Sequence, residues 1–346
     1  MRRDFTATQR MLRAISGLTL LAVIALLPAA SQVQNPRASS QRPKIGLAMG
    51  GDGAMGFVQV GVLEWMEEHH IPIDLFAGTS MGGFVAGVYA AGFSPREIEL
   101  FLMKVDWEGT YFLGEAPYQP KGVWVTKSDL AEAEKSGALR GLKLSSLTAF
   151  LPTQNRAVMA FPFLPRIVNS YSDLKSFDAL PTPFRCTTVD LISGEVVVTN
   201  QGSLPLALSA TMALPGLMDP VRVGDKLLSG GGPLPVEVAR SGADVVIASY
   251  VYTHARLGPD MSAFQQMQRS LQAAKAEADR RGISQADVVI PVDTSEYTSF
   301  DLLRIRELVR LGYESAEQKS SSLLKYEVSQ EDWQHYLDDR LQRKIR

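Results

Sequence analysis

Between Ile71 and Gly92 the chain reads I-P-I-D-L-F-A-G-T-S-M-G-G-F-V-A-G-V-Y-A-A-G, and this stretch restricts the fold more than any other. Ile73 to Ala77 is a short apolar run with strand character. Gly78-Thr79-Ser80-Met81-Gly82 is a tight turn, and the small residues from Gly82 to Ala91 predict a helix closed by Gly92. A serine at a strand-to-helix turn is held in a constrained backbone conformation. Glycines two residues either side, Gly78 and Gly82, let strand and helix approach without Cβ clashes. Such a turn presents Oγ at a helix N-terminus, where the dipole favours developing negative charge. Ser80 is therefore a candidate nucleophile in an α/β chain.

One strand earlier, Lys44 to Met49 runs into Gly50-Gly51-Asp52-Gly53-Ala54-Met55-Gly56, and a helix follows from about Phe57 to His69. Strand, glycine loop and helix form an anion-binding layout, suited to a phosphate or to the oxyanion of acyl transfer. A nucleotide loop would end in Gly-Lys-Ser or Gly-Lys-Thr, whereas this one ends in Met55-Gly56-Phe57. With the serine turn next in line, the oxyanion reading is preferred.

The N-terminus has a different character. Arg2, Arg3, Arg10 and Arg13 precede an apolar run from Leu18 to Leu27, followed by Ala29-Ala30-Ser31. Residues 1–31 are expected to be a secretory signal peptide, giving a periplasmic or secreted protein; the alternative is an uncleaved membrane anchor. Residues 32–42 read as a polar linker. Without residues 1–31 the formal charge moves from −2 to −5, so a nucleic-acid surface is not indicated. The single cysteine, Cys186, reads as a buried thiol, and four scattered histidines offer no metal-ligand cluster.

Further along, Ser94-Pro95-Arg96-Glu97 is a capping box that starts a helix. Val105 to Ala179 loses periodicity and is expected to be a lid, an acyl-chain pocket or ordinary packing. Strands are expected at Phe184 to Asp190, Glu195 to Thr199, Val221 to Val223 and Lys226 to Leu228. Leu204 to Met212 is expected to be helical. Ala243 to Val251 is apolar throughout, the pattern of a strand buried on both faces. Phe264, Met267, Leu271, Ala274 and Ala278 fall at helical spacing and predict a core-facing stripe. A strand at Asp287 to Pro291 and a helix from about Ser299 to Leu311, capped by Gly312, follow. Ser329 caps a last charged helix, making residues 318–346 a helical tail.

From Pro43 to about Glu317 the chain resembles the patatin-like phospholipase family, particularly its secreted bacterial members. The resemblance rests on Gly51 to Gly56, Gly78-Thr79-Ser80-Met81-Gly82, Thr188-Val189-Asp190-Leu191 with Ser193-Gly194-Glu195, Leu214-Pro215-Gly216, and Leu234-Pro235-Val236. It implies a three-layer α/β/α fold around a mostly parallel sheet over residues 43–317. It also implies hydrolysis of acyl esters by a serine–aspartate dyad, with no cofactor. Ser80 would be the nucleophile, and backbone N–H groups at Gly51, Asp52 and Gly53 the oxyanion hole. The implied partner is a lipid or acyl ester, with peripheral membrane contact; no protein partner is named by the sequence. Asp190 would be structural, capping a turn.

The departures are specific. Asp52 stands at a glycine of the family's loop and Met55 at its arginine, so the loop has lost a cation and gained an anion. Losing one oxyanion donor alone costs about 3 kcal/mol. Ser229, in Leu228-Ser229-Gly230-Gly231, occupies the place of the dyad aspartate, and the loop to Pro235 is about two residues short. A serine hydroxyl is no base near neutral pH. Asp219, Asp52 and His254 are the candidate replacements, His254 through an ordinary Ser–Asp–His triad. Two functional readings stay open: a lipid acyl hydrolase, and a catalytically impaired relative that binds lipid or a partner.

Overall fold

The computed structural model describes residues 42–105, 107, 164–215, 218–254 and 263–344. The expected signal peptide, nearly all of the linker and most of the expected lid lie outside the described residues. The compact domain runs from Pro43 to Arg346.

Its centre is a mixed sheet of eight strands: β1 (Ile45–Met49), β2 (Leu75–Thr79), β3 (Phe184–Asp190), β4 (Val196–Thr199), β5 (Val221–Val223), β6 (Lys226–Ser229), β7 (Val245–Tyr252) and β8 (Val288–Asp293). The order is β5-β6-β3-β2-β1-β7-β8, with β4 also on β3. The run β3-β2-β1-β7-β8 is parallel, and β4, β5 and β6 are antiparallel additions. Every residue of β1 and β2 is buried, as strands covered on both faces require.

Ten α-helices are described: α1 (Val58–Glu68), α2 (Ser80–Ala90), α3 (Pro95–Leu102), α4 (Leu164–Val168), α5 (Leu204–Met212), α6 (Val236–Arg240), α7 (Ala263–Ile283), α8 (Ile305–Glu317), α9 (Ser320–Leu323) and α10 (Gln330–Arg343). Alternation along β1 divides them into two layers. Ile45, Leu47 and Met49 enter the large core with α1, α2, α3, α5 and α8. Ala48 faces a smaller core with Val236 and Ala239 of α6, and a Cβ on Gly46 would meet Ala239 O at 3.0 Å. Large residues on one face and small ones on the other give the three-layer α/β/α arrangement.

The two edges of β3 place the site. Val189 pairs with Val196 of β4 and with Ser229 of β6, so β4 and β6 lie on opposite edges. Cys186 pairs with Thr199 of β4 and Gly78 of β2. Strands β2 and β6 therefore occupy the same edge of β3, one above the other.

Two expectations need correction. Gly312 does not cap a helix; α8 continues through it. A Cβ there would stand 1.8 Å from Val58 O, and one on Gly61 1.8 Å from Val309 O, so the two glycines permit a close crossing of α1 and α8. The helix α7 exists, but the described part of its apolar stripe is not core: Leu271 is 43% exposed and Ala274 is exposed, while Asp279 is buried; Phe264 and Met267 lie outside the residues whose side chains are described. Polar contacts to the loops, described below, hold this helix. The C-terminal segment, expected to be a helical tail, carries α10, which docks on the domain. Arg340 is buried, its guanidinium lies 4.0 Å over the Tyr89 ring, and it donates to Tyr89 Oη at 2.7 Å and Tyr89 O at 2.9 Å. Trp333 stacks on His70, and Tyr336 Oη donates to Ile73 O at 3.0 Å.

Candidate active site

At the junction of β2 and α2, Ser80 has φ +55°, a left-handed conformation unusual for a residue with a Cβ and costing about 1–2 kcal/mol. Two features hold it there. The Ser80 N–H donates to Thr211 Oγ1 at 2.7 Å, and that hydroxyl donates to Thr187 O at 2.8 Å. A Cβ on Gly78 would stand 2.5 Å from Gly83 Cα, and one on Gly82 2.3 Å from Gly50 O, so neither position admits a side chain. Ser80 is half-buried in a shallow cleft with Gly53, Met81, Met212 and Leu214. Among the described residues its Oγ has no hydrogen-bond partner.

The glycine loop lies against the first turn of α2. A Cβ on Gly51 would meet Gly82 N at 2.5 Å, and Gly53 has φ +54° with Ser299 O 2.3 Å from where its Cβ would be. The loop's backbone bonds run from Gly50 N to Ser249 O, Ala54 N to Ser299 O and Gly56 N to Gly53 O. The N–H groups of Gly51, Asp52 and Gly53 are not among these donors. The Asp52 carboxylate is occupied elsewhere: Gln272 Nε2 of α7 donates to Oδ2 at 2.7 Å, and Ser299 Oγ to Oδ1 at 2.8 Å. Asp52 thus bolts the loop to α7 and to the segment before α8. Met55 is buried, with Thr294 Oγ1 at 3.1 Å from its sulfur.

Ser229 sits where the register of β3 puts it. Thr79 is level with Thr187 and Ser229 with Val189, two residues further along the same edge, or about 7 Å. A serine and an aspartate side chain joined by one hydrogen bond span that gap. Here, however, Ser229 is buried and its Oγ donates to Ala213 O at 2.8 Å. The loop beyond it turns back to the elbow, where Thr79 Oγ1 donates to Gly232 O at 3.4 Å. Asp219 is buried just before β5. Since Val221 pairs with Leu228, the same register continued puts Asp219 beside Gly230, one strand further out than Ser229. His254 is not brought to the site. Ser249, Met49 and Gly78 are level, so strand spacings separate the His254 and Ser80 Cα atoms by roughly 14 Å. Its exposed ring lies edge-on to Tyr252.

Asp190 caps a turn, accepting from Leu227 N at 3.0 Å, Ile192 N at 3.2 Å and Ser193 Oγ at 2.9 Å. Those bonds, Leu227's first, hold its carboxyl below the usual range. Cys186 is a buried thiol whose pKa burial pushes up to about 12, too high for a nucleophile. A roomier concavity of about 360 Å³ lies at the far end of α1 among Glu64, Glu68, Arg96 and Trp333, where burial and then Glu99 raise the Glu64 pKa. The one hydroxyl in its lining, Ser94 Oγ, is engaged in the capping box with Glu97. Sequence reasoning missed three residues. Thr211 carries the elbow amide. Gln59 donates to Gly50 O at 2.8 Å. Asp279 of α7 accepts from Leu234 N at 2.6 Å and pairs with Lys275 at 2.8 Å. The only available signal for Gln59 and Asp279 was a polar residue on a helix otherwise placed to be covered.

A mostly parallel α/β sheet thus carries a left-handed serine between strand and helix, against a glycine loop. The chain belongs to the patatin-like phospholipase family, whose model matches residues 47–240, more than half of it. It is 28% identical over 228 residues to an uncharacterized NTE family protein of Mycobacterium tuberculosis, covering 64% of this chain and 51% of that protein. It is 30% identical over 210 residues to patatin-like phospholipase domain-containing protein 7 of Rattus norvegicus, covering 59% of this chain and 13% of that protein. The chain thus spans about half of the first relative and far less of the second. Among solved structures, VipD from Legionella pneumophila aligns with a TM-score of 0.42 at 14% identity, over 82% of this chain and 67% of that one.

Proposed function

We propose that this protein is a lipid acyl hydrolase of slow turnover, with Ser80 as nucleophile. The observation that carries the reading is Ser80 itself: a strained left-handed serine with its amide captured by Thr211 and its hydroxyl left for a substrate. In the reaction Ser80 Oγ attacks the ester carbonyl carbon, and the N–H groups of Gly51 to Gly53 receive the resulting oxyanion. Collapse breaks the ester C–O bond, the alcohol leaves with a proton, and water then hydrolyses the acyl-serine. The proton on Ser80 Oγ needs an acceptor, and removing such a base typically costs on the order of 10⁴-fold. With a hydroxyl at position 229, water or the distant carboxylate of Asp219 has to serve, hence slow turnover.

The second reading is a catalytically silent lipid-binding protein, favoured by the Ser229 hydroxyl being committed to Ala213 O. In either case we propose export directed by residues 1–31, or anchoring by the same segment, and peripheral contact with a membrane that supplies the ester. The deciding experiment compares hydrolysis of short- and long-chain acyl esters by the full chain and its Ser80→Ala variant. A rate above the variant's supports the hydrolase. Equal background rates, with lipid still bound, support the silent protein.

A further inference from the structure

Gln59, the second residue of α1, is fully buried, in a helix whose neighbouring buried positions are Val58, Val60, Val62 and Leu63. Its Nε2 donates to Gly50 O at 2.8 Å and approaches Ser249 O at 3.4 Å, while Oε1 has no partner among the described residues. A side chain kept only for packing would be apolar here, since a buried amide with an unmet acceptor is costly. What the amide does is hold one peptide plane. Gly50 N donates to Ser249 O at 3.2 Å, so both ends of Gly50 are tied. The Gly50–Gly51 peptide is trans, so its C=O and N–H point in opposite directions. Fixing the Gly50 carbonyl on Gln59 therefore fixes the direction of the Gly51 N–H. That N–H belongs to the residue packed against Met81 N and Gly82 N, at the first turn of the helix that Ser80 opens.

We propose that Gln59 is a positioning residue for the oxyanion hole, aiming the Gly51 N–H through the carbonyl of the same peptide. The proposal rests on Ser80 being the nucleophile. It acts on the barrier and leaves ground-state binding alone, because the hole is filled only when the carbonyl oxygen becomes charged.

The test is phosphonylation of Ser80 by a long-chain alkyl fluorophosphonate in the full chain and in its Gln59→Met variant, followed by intact mass. The Oγ–P bond forms, fluoride leaves and the serine proton passes to solvent. The expected result is a maximal labelling rate lower by about 10- to 100-fold, a half-saturating probe concentration unchanged, and a melting temperature within a few degrees of the parent's. An unchanged maximal rate overturns the proposal. So does a loss carried by weaker probe binding or by a large fall in melting temperature, because that is what packing alone predicts. A parent chain that is not labelled at all counts against the nucleophile reading. The backbone amides of Gly51 to Gly53 then decide for Gln59: at least tenfold faster hydrogen exchange in the variant upholds the positioning, and unchanged exchange overturns it.

Discussion

Replacing Ser229 by aspartate returns a carboxylate to a position about 7 Å along β3 from the level of the nucleophile strand. A well-placed base is worth on the order of 10⁴-fold, or about 5 kcal/mol of barrier. The structure argues for less. Ser229 Oγ now donates to Ala213 O at 2.8 Å, and a carboxylate cannot, so the new side chain must turn away from that carbonyl towards Ser80. A misplacement near 1 Å costs about 10²-fold, which leaves an expected gain of about 10²-fold in kcat for a short-chain ester. The site is buried, so the new carboxyl should have a raised pKa. The sign follows: its stability contribution is intact at low pH and is lost as pH rises through the folded pKa, while activity rises over the same window. The assay is ester hydrolysis against pH by Ser229→Asp, with Ser80→Ala/Ser229→Asp as control and thermal melting alongside. A folded single variant no faster than the parent would refute the reasoning, as would a gain that survives loss of Ser80.

Thr211→Val removes the acceptor of the Ser80 amide and should cost about 1–3 kcal/mol of stability by thermal melting and slow Ser80 labelling; Thr211→Ser should restore both. Gly312→Ala places a Cβ 1.8 Å from Val58 O and should destabilise by about 3 kcal/mol or more, seen as an earlier urea midpoint, with Gly61→Ala behaving alike. Asp190, held below its usual pKa by Leu227 N–H, contributes stability that is present above the unfolded value and lost as pH falls through the folded one. Asp190→Asn should flatten the acid side of the stability–pH curve without moving its alkaline side.

The parallel strands and the elbow were legible because their signals are local. A continuous apolar run marks a strand covered on both faces, and glycines flanking a serine mark a turn with no room for Cβ atoms. Gly312 misled for the same reason: read locally a glycine ends a helix, yet here it admits the backbone of α1, which no local pattern records. Leu271 and Ala274 on α7 misled likewise, since Gln272 and Asp279 tie that helix to loops some 220 and 45 residues away. Asp52 was legible as an unexpected anion, but the two donors that neutralise its demand for hydrogen bonds come from Gln272 and Ser299. The docking of α10 uses Arg340 together with Trp333 and Tyr336, and composition cannot distinguish Arg340 from its solvated neighbours.

Because β2 and β6 hang end to end from one edge of β3, the spacing between residues 80 and 229 is set in whole strand residues and owes nothing to loop length. The length of the return from Gly230 to Pro233 therefore does not set where either partner lies. A slip of a single residue in β3, by contrast, would shift the pair by about 3.3 Å and turn its side chains to the other face. The scaffold therefore tolerates insertion and deletion around the site while keeping its ruler. In such a scaffold a change of side chain at position 229 leaves the backbone spacing to residue 80 as it was.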